Sequence, residues 1–66
     1  MDKPGYREQL ADLHSRYDAG TISLADAAAY LRIDRRTLLA DRTFPVIKAG
    51  RSYRVSLVAL ARWMTA

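Results

Sequence analysis

Eight basic side chains between residues 21 and 66, seven of them arginine, are the groups in this chain best suited to chemistry. Eight cations against Asp26, Asp34 and Asp41 leave +5 there, while residues 1–20, with three basic against four acidic groups, sum to −1. The guanidinium fork matches the two oxygens of a phosphate and the O6/N7 edge of guanine, a fit that lysine lacks. Two places concentrate the charge. Arg35-Arg36-Thr37 follows Asp34, a good helix cap. Lys48, Arg51 and Arg54 surround Gly50, a residue suited to a tight turn. A helix start rich in arginine with a basic hairpin close behind makes a two-pronged grip for DNA. The helix enters a major groove, and the hairpin reaches the neighbouring minor groove or backbone. Solubility alone would not require the charge to sit at those two places.

Other chemistries find little support. The chain has 66 residues, no cysteine and one histidine, with a net charge of +4 and a sequence pI near 10.0. A thiolate zinc site and a disulfide framework are both excluded. His14 has no nucleophile or carboxylate constellation around it and reads as a surface residue. Ser15, Ser23, Ser52 and Ser56 have cap or turn explanations, and no glycine-rich phosphate loop occurs. The expectation is a protein that is not an enzyme, with no cofactor and no metal. No apolar run approaches membrane-spanning length and no signal-peptide pattern opens the chain. One soluble domain in the cytoplasm is expected, small enough that its core is modest.

The elements that must position the arginines follow from caps and periodicity. Asp2 can cap a first helix with Pro4 in its first turn, and Gly20 can end it in a left-handed cap. Tyr6, Leu10, Leu13 and Tyr17 recur at spacings of four, three and four, one apolar stripe. Such a stripe packs on its own domain or on another copy of the chain. Ser23 opens a second helix with Asp26 as the partner of a capping box. Leu24, Ala27, Ala28 and Leu31 form its buried side. Arg32-Ile33-Asp34 is a turn, and a third helix runs from Arg35 to about Arg42 with Leu38 and Leu39 inward. Phe44-Pro45 stops it. Val46–Ala49 and Ser52–Val55 read as strands around Gly50-Arg51. Ser56 caps a last helix in which Leu57, Leu60 and Met64 share a side, beside Trp63. The predicted unit spans 1–66, as an N-terminal amphipathic helix (1–20), a helix pair (22–42), a hairpin (44–55) and a closing helix (56–65).

In this order the residues carry a resemblance. Ile22-Ser23-Leu24-Ala25-Asp26-Ala27-Ala28-Ala29-Tyr30-Leu31 is followed by Ile33-Asp34-Arg35-Arg36-Thr37-Leu38. Then come Phe44-Pro45, Gly50-Arg51-Ser52-Tyr53-Arg54-Val55, Leu60 and Trp63-Met64. This series resembles the excisionase family, small DNA-binding proteins of phages and mobile elements, and most nearly members from actinobacterial viruses. The resemblance covers residues 22–64. It implies a mainly α fold with a small β-hairpin, similar to the MerR-type winged helix-turn-helix. It also implies a recombination directionality factor that binds and bends attachment-site DNA in a bacterial cytoplasm. Its expected partners are double-stranded DNA, a phage integrase and other copies of itself. Three positions depart from the pattern. Arg32 stands where the family usually has glycine in the turn. Ala59 replaces an acidic residue common in the closing helix. The short interval from Thr37 to Pro45 leaves room for about two turns of recognition helix.

On the third helix Arg35, Arg36, Thr37 and Ala40 are the expected DNA-facing set. An arginine there can fork onto guanine, Thr37 can meet a phosphate or a thymine methyl, and free backbone N–H groups favour a phosphate. Asp41 is expected to orient an arginine. The alternative is that Arg35 and Arg36 pair with Asp34, Asp41 or solvent. In the hairpin the expected set is Lys48, Gly50, Arg51, Ser52 and Arg54, with Arg51 at the tip suited to an A·T-rich minor groove. The alternative is an edge kept soluble by charge. Tyr53 packs inward or stacks on sugar, Trp63 belongs to the core, and Arg62 reaches a phosphate or solvent. Most stripes of this kind pack as core, and Tyr6, Leu10, Leu13 and Tyr17 are the candidate self-association surface. Two rival functions stand beside excision: transcriptional regulation of a phage or mobile element, and a protein-interaction module whose basic surface is nonspecific.

Overall fold

In the computed structural model, which describes residues 5–66, the chain forms seven elements. These are α1 (Tyr6–Arg16), β1 (Thr21–Ser23), α2 (Leu24–Leu31), α3 (Arg35–Ala40), β2 (Ile47–Ala49), β3 (Ser52–Ser56) and α4 (Leu57–Met64). The order β1-α2-α3-β2-β3-α4 is that of a winged helix-turn-helix, preceded by one helix.

The expected cap Asp2 and first-turn Pro4 lie outside the described residues. Gly5 occupies the N-cap of α1 with φ 89, a left-handed conformation that glycine adopts without steric cost. Glu8 in the first turn and Arg16 in the last match the helix dipole. The helix ends at Arg16, where Tyr17 turns extended and its N–H donates to the Leu13 carbonyl. Gly20 is therefore not the left-handed cap that was expected. Its carbonyl instead accepts from the Leu57 N–H at 3.0 Å, which ties the entry of β1 to the end of β3.

The apolar stripe of α1 is consumed within the domain. Tyr6 and Leu13 are buried, and Leu10 and Tyr17 pack against the same core. α1 lies on α4, whose Leu57, Leu60 and Ala61 are fully buried. Burying a leucine of this kind stabilises the fold by about 1.5–3 kcal/mol. Tyr6 and Leu13 belong to the core and Leu10 and Tyr17 are half-buried against it. The stripe is thus largely taken up within the domain, and little of it is left as a self-association surface.

A polar seam joins α1 to α2. The Tyr30 hydroxyl donates to the Asp12 carboxylate and accepts from Gln9 Nε2 at 2.7 Å. Arg16 Nε lies 3.2 Å from the same carboxylate, with its guanidinium 5.3 Å from the centre of the Tyr30 ring. Tyr17 meets Tyr30 edge to face at 6.2 Å. The Tyr30 hydroxyl, followed by the Arg16 charge, holds the Asp12 carboxyl below its ordinary value. Burial and then the Asp12 carboxylate push the Tyr30 hydroxyl up.

The hairpin is part of a three-stranded antiparallel sheet in the order β1-β3-β2. β1 is a strand that sequence patterning does not give, because three residues are too few to reveal an alternation. Ile22 faces Val55 across the first pairing, and both are buried. Tyr53, two residues from Val55 and on the same face, is half-buried against the core, so the inward of its two readings holds. The outer face carries Arg54, flanked by Ser23 on one neighbour and by Ile47, 54% exposed, on the other.

Ser23 ends β1 and caps α2, its Oγ accepting from the Asp26 N–H at 3.1 Å. Among the described residues no return bond from the Asp26 carboxylate completes the expected capping box. Leu24, Ala27 and Ala28 are buried, and the small alanines let α2 sit close to β1, β3 and α3.

Candidate nucleic-acid interface

α2 turns into α3 through Arg32, which has φ 57 and ψ 41. Its N–H donates to the Ala29 carbonyl at 3.3 Å, and the Ile33 N–H donates to the Ala28 carbonyl at 3.1 Å. These are the paired bonds of a Schellman ending. The turn thus keeps the left-handed geometry usually given to glycine, and an arginine adopts it.

Asp34 then caps α3, its Oδ1 accepting from the Arg36 N–H at 2.8 Å. α3 has six residues and spans about 9 Å. Leu38, 2% exposed, is its anchor, while Leu39, expected inward, is 43% exposed. Successive residues differ by about 100° around a helix, so fewer than two turns seat one side chain underneath. Phe44, buried just beyond the helix, fills the remaining place.

The end of α3 also differs from expectation. It stops at Ala40, before Arg42, because Asp41 turns its carboxylate onto Thr43. Asp41 Oδ1 accepts from the Thr43 N–H at 2.8 Å and from the Thr43 hydroxyl at 2.7 Å. The Thr43 hydroxyl in turn accepts from Trp63 Nε1 at 3.0 Å, and Trp63 meets Phe44 edge to face at 5.1 Å. The Thr43 hydroxyl and then its N–H hold the Asp41 carboxyl below its ordinary value. Asp41 therefore orients Thr43 and not an arginine. Thr43 is the positioning residue that the sequence reading missed. Its signal was present in the Asp41-Arg42-Thr43 spacing, which suits an Asx-turn.

All four expected residues of α3, Arg35, Arg36, Thr37 and Ala40, are exposed. In the wing, Gly50 has φ 62 and is the first of the two turn residues. A positive φ at that position alone is the pattern of a type II′ hairpin turn. Lys48, Gly50, Arg51 and Ser52 are exposed. Arg54 is half-buried, and its Nη2 donates to the Thr21 carbonyl at 3.1 Å and hydroxyl at 3.2 Å. It straps the wing to β1 before it can offer anything to a ligand. Arg62 lies 5.8 Å from the Tyr6 ring centre, a cation–π contact that holds α4 to α1.

Helix and wing have a common support. α3 packs on α2, α2 packs on β1 and β3, and β3 carries β2. Among the described residues the single ion pair is Arg16 with Asp12. Arg32, Arg35, Arg36, Arg42, Lys48 and Arg51 are all exposed and take part in none. Asp34 and Asp41 are both turned toward backbone N–H groups, so they do not cross-link the arginines beside them. The result is a surface on which cations outnumber the exposed Asp34 and Asp41, a net positive balance that attracts a polyanion.

His14 is exposed. No group of three His, Cys, Asp or Glu residues is placed to hold a metal among the described residues. None of their helices is long and apolar enough to cross a membrane.

Comparison with curated proteins and with solved structures gives no match. The helix-turn-helix domain family matches residues 21–66, from the first residue of β1 through the helix pair, the wing and α4. That span holds the exposed, unpaired cations Arg32, Arg35, Arg36, Arg42, Lys48 and Arg51 and leaves out α1. Capped helix pair, basic wing and matched span agree: the chain belongs to the helix-turn-helix domain family of DNA-binding modules.

Proposed function

We propose that the chain is an excisionase, a recombination directionality factor. It binds and bends attachment-site DNA in a bacterial cytoplasm and thereby helps a phage integrase to excise the element and not to re-integrate it. The observation that carries the reading is the surface of unpaired cations on α3 and the wing, left free because Asp34 and Asp41 act as caps. Arg35, Arg36, Thr37 and Ala40 meet the major groove. Arg51, with Lys48, Gly50 and Ser52, meets the adjoining minor groove or backbone, and Arg54 holds the wing in position for both.

A recognition helix of six residues gives limited base discrimination, so several copies on adjacent sites supply the rest. Contacts between those copies use a surface other than the α1 stripe, which is buried. The same burial weighs against a protein-interaction module built on that stripe.

The test is a gel-shift titration of wild type and Arg36→Ala on attachment-site DNA, with scrambled duplex as competitor. Stepwise shifts resistant to the competitor are expected, weakened by about 1–3 kcal/mol in the variant. Equal and feeble shifts on both DNAs would sink the reading.

A further inference from the structure

Among the described residues Arg32 is the one non-glycine residue with a positive φ. In that conformation Cβ crowds the following carbonyl oxygen, which is why glycine is the ordinary occupant of a helix ending of this kind. The Ala29 and Ala28 carbonyls fix the backbone here whatever side chain it bears. The arginine side chain is exposed and makes no hydrogen bond or ion pair among the described residues. Three and four residues on stand Arg35 and Arg36, equally exposed and unpaired, and the one acid between them is turned to the Arg36 N–H. Backbone strain and a cluster of exposed cations thus meet at one corner of the free protein, where the Arg32 side chain itself has no partner among the described residues. A polyanion laid against that corner supplies one. Strain of this sort persists where a site has use for it.

We infer that Arg32 grips a phosphodiester of duplex DNA at the elbow between α2 and α3, and so fixes how α3 enters the groove. A contact of this type positions the protein without reading sequence. The inference rests on the DNA-binding reading above and adds a residue to it.

The experiment compares wild type, Arg32→Gly, Arg32→Lys and Arg36→Ala. Fluorescence anisotropy is read on a labelled duplex of mixed sequence across a salt series, and each protein is also melted thermally. Relief of strain raises the melting temperature of Arg32→Gly by roughly 2–6 °C, after allowing for the added freedom of its unfolded chain. The same variant binds on the order of fivefold more weakly, and its log-affinity against log-salt slope is shallower by about 0.9. Arg32→Lys keeps the wild-type slope. A gain in stability with a loss of affinity cannot come from damage to the fold. The inference is overturned if Arg32→Gly keeps wild-type affinity and slope. If Arg36→Ala is weakened while Arg32→Gly is not, Arg32 alone fails. If wild-type binding does not respond to salt or to either substitution, the DNA-binding reading falls as well.

Discussion

One hydroxyl holds the end of α3 in place. Thr43 donates to Asp41 and accepts from Trp63, so it links the last turn of α3 to α4 through two bonds. Thr43→Val keeps the shape and the backbone N–H but removes the hydroxyl, the larger cause of the low Asp41 pKa. The Asp41 carboxyl should then titrate closer to its ordinary value of 3.8, which a carbon-13 NMR titration of the carboxyl reads directly. The sign for stability follows. A carboxyl depressed in the folded state stabilises above its unfolded pKa, and that stability is lost as pH falls through the folded value. Wild type should therefore lose more stability than Thr43→Val on acidification below that ordinary value. An unchanged titration would mean that the hydroxyl does not donate to Asp41. Arg54 teaches a similar lesson. In sequence it is one more wing cation, yet the Thr21 carbonyl makes it a strap.

At the scale of elements, α1 is the part whose role changes most on folding. Its stripe fits a docking face and a core face equally well, because helical periodicity says only that one side is apolar. Packing on α4 resolves it, with Leu13 fully buried. Leu13→Ala should cost about 3 kcal/mol, the typical loss for a buried leucine that leaves a cavity. That is a large share of the stability expected of so small a domain. Urea unfolding followed by Trp63 fluorescence measures it. A variant with unchanged stability but weakened self-association would restore the docking role. The family match begins at β1 and leaves α1 out, so this chain completes its core with a helix that lies beyond the matched domain.

For the molecule as a whole, the decisive property is that the core and the unpaired cations lie on different surfaces. The core joins α1, α4, α2 and the inner face of the sheet, while the unpaired cations stand on α3, its turns and the wing tip. Arg51 at the exposed tip should therefore separate binding from stability. Arg51→Ala should leave the melting temperature unchanged and make the log-affinity against log-salt slope shallower by about 0.9. Arg54→Ala should lower the melting temperature as well, since it frees Thr21. Thermal melts beside a salt titration check both, and an Arg51→Ala variant with the wild-type slope would remove the wing tip from the interface.

Much of this was legible from local chemistry. Asp34, Ser23 and Ser56 announce three helix starts, Gly50 announces the hairpin, and the arginines follow the caps in the one-dimensional order. Each of these signals acts over a few residues, so the sequence by itself determines them. The length of α3, the exposure of Leu39, the strand β1 and the work of Thr43, Arg54 and Arg62 were not legible. The contacts of the last three depend on a group brought from 20 or more positions away: Trp63 to Thr43, Thr21 to Arg54, Tyr6 to Arg62. The tertiary structure alone decided that α1 is core, and it showed that Asp41 serves Thr43 in place of an arginine. A capping carboxylate and a pairing carboxylate are the same residue in sequence, and only the position of the nearest N–H tells them apart.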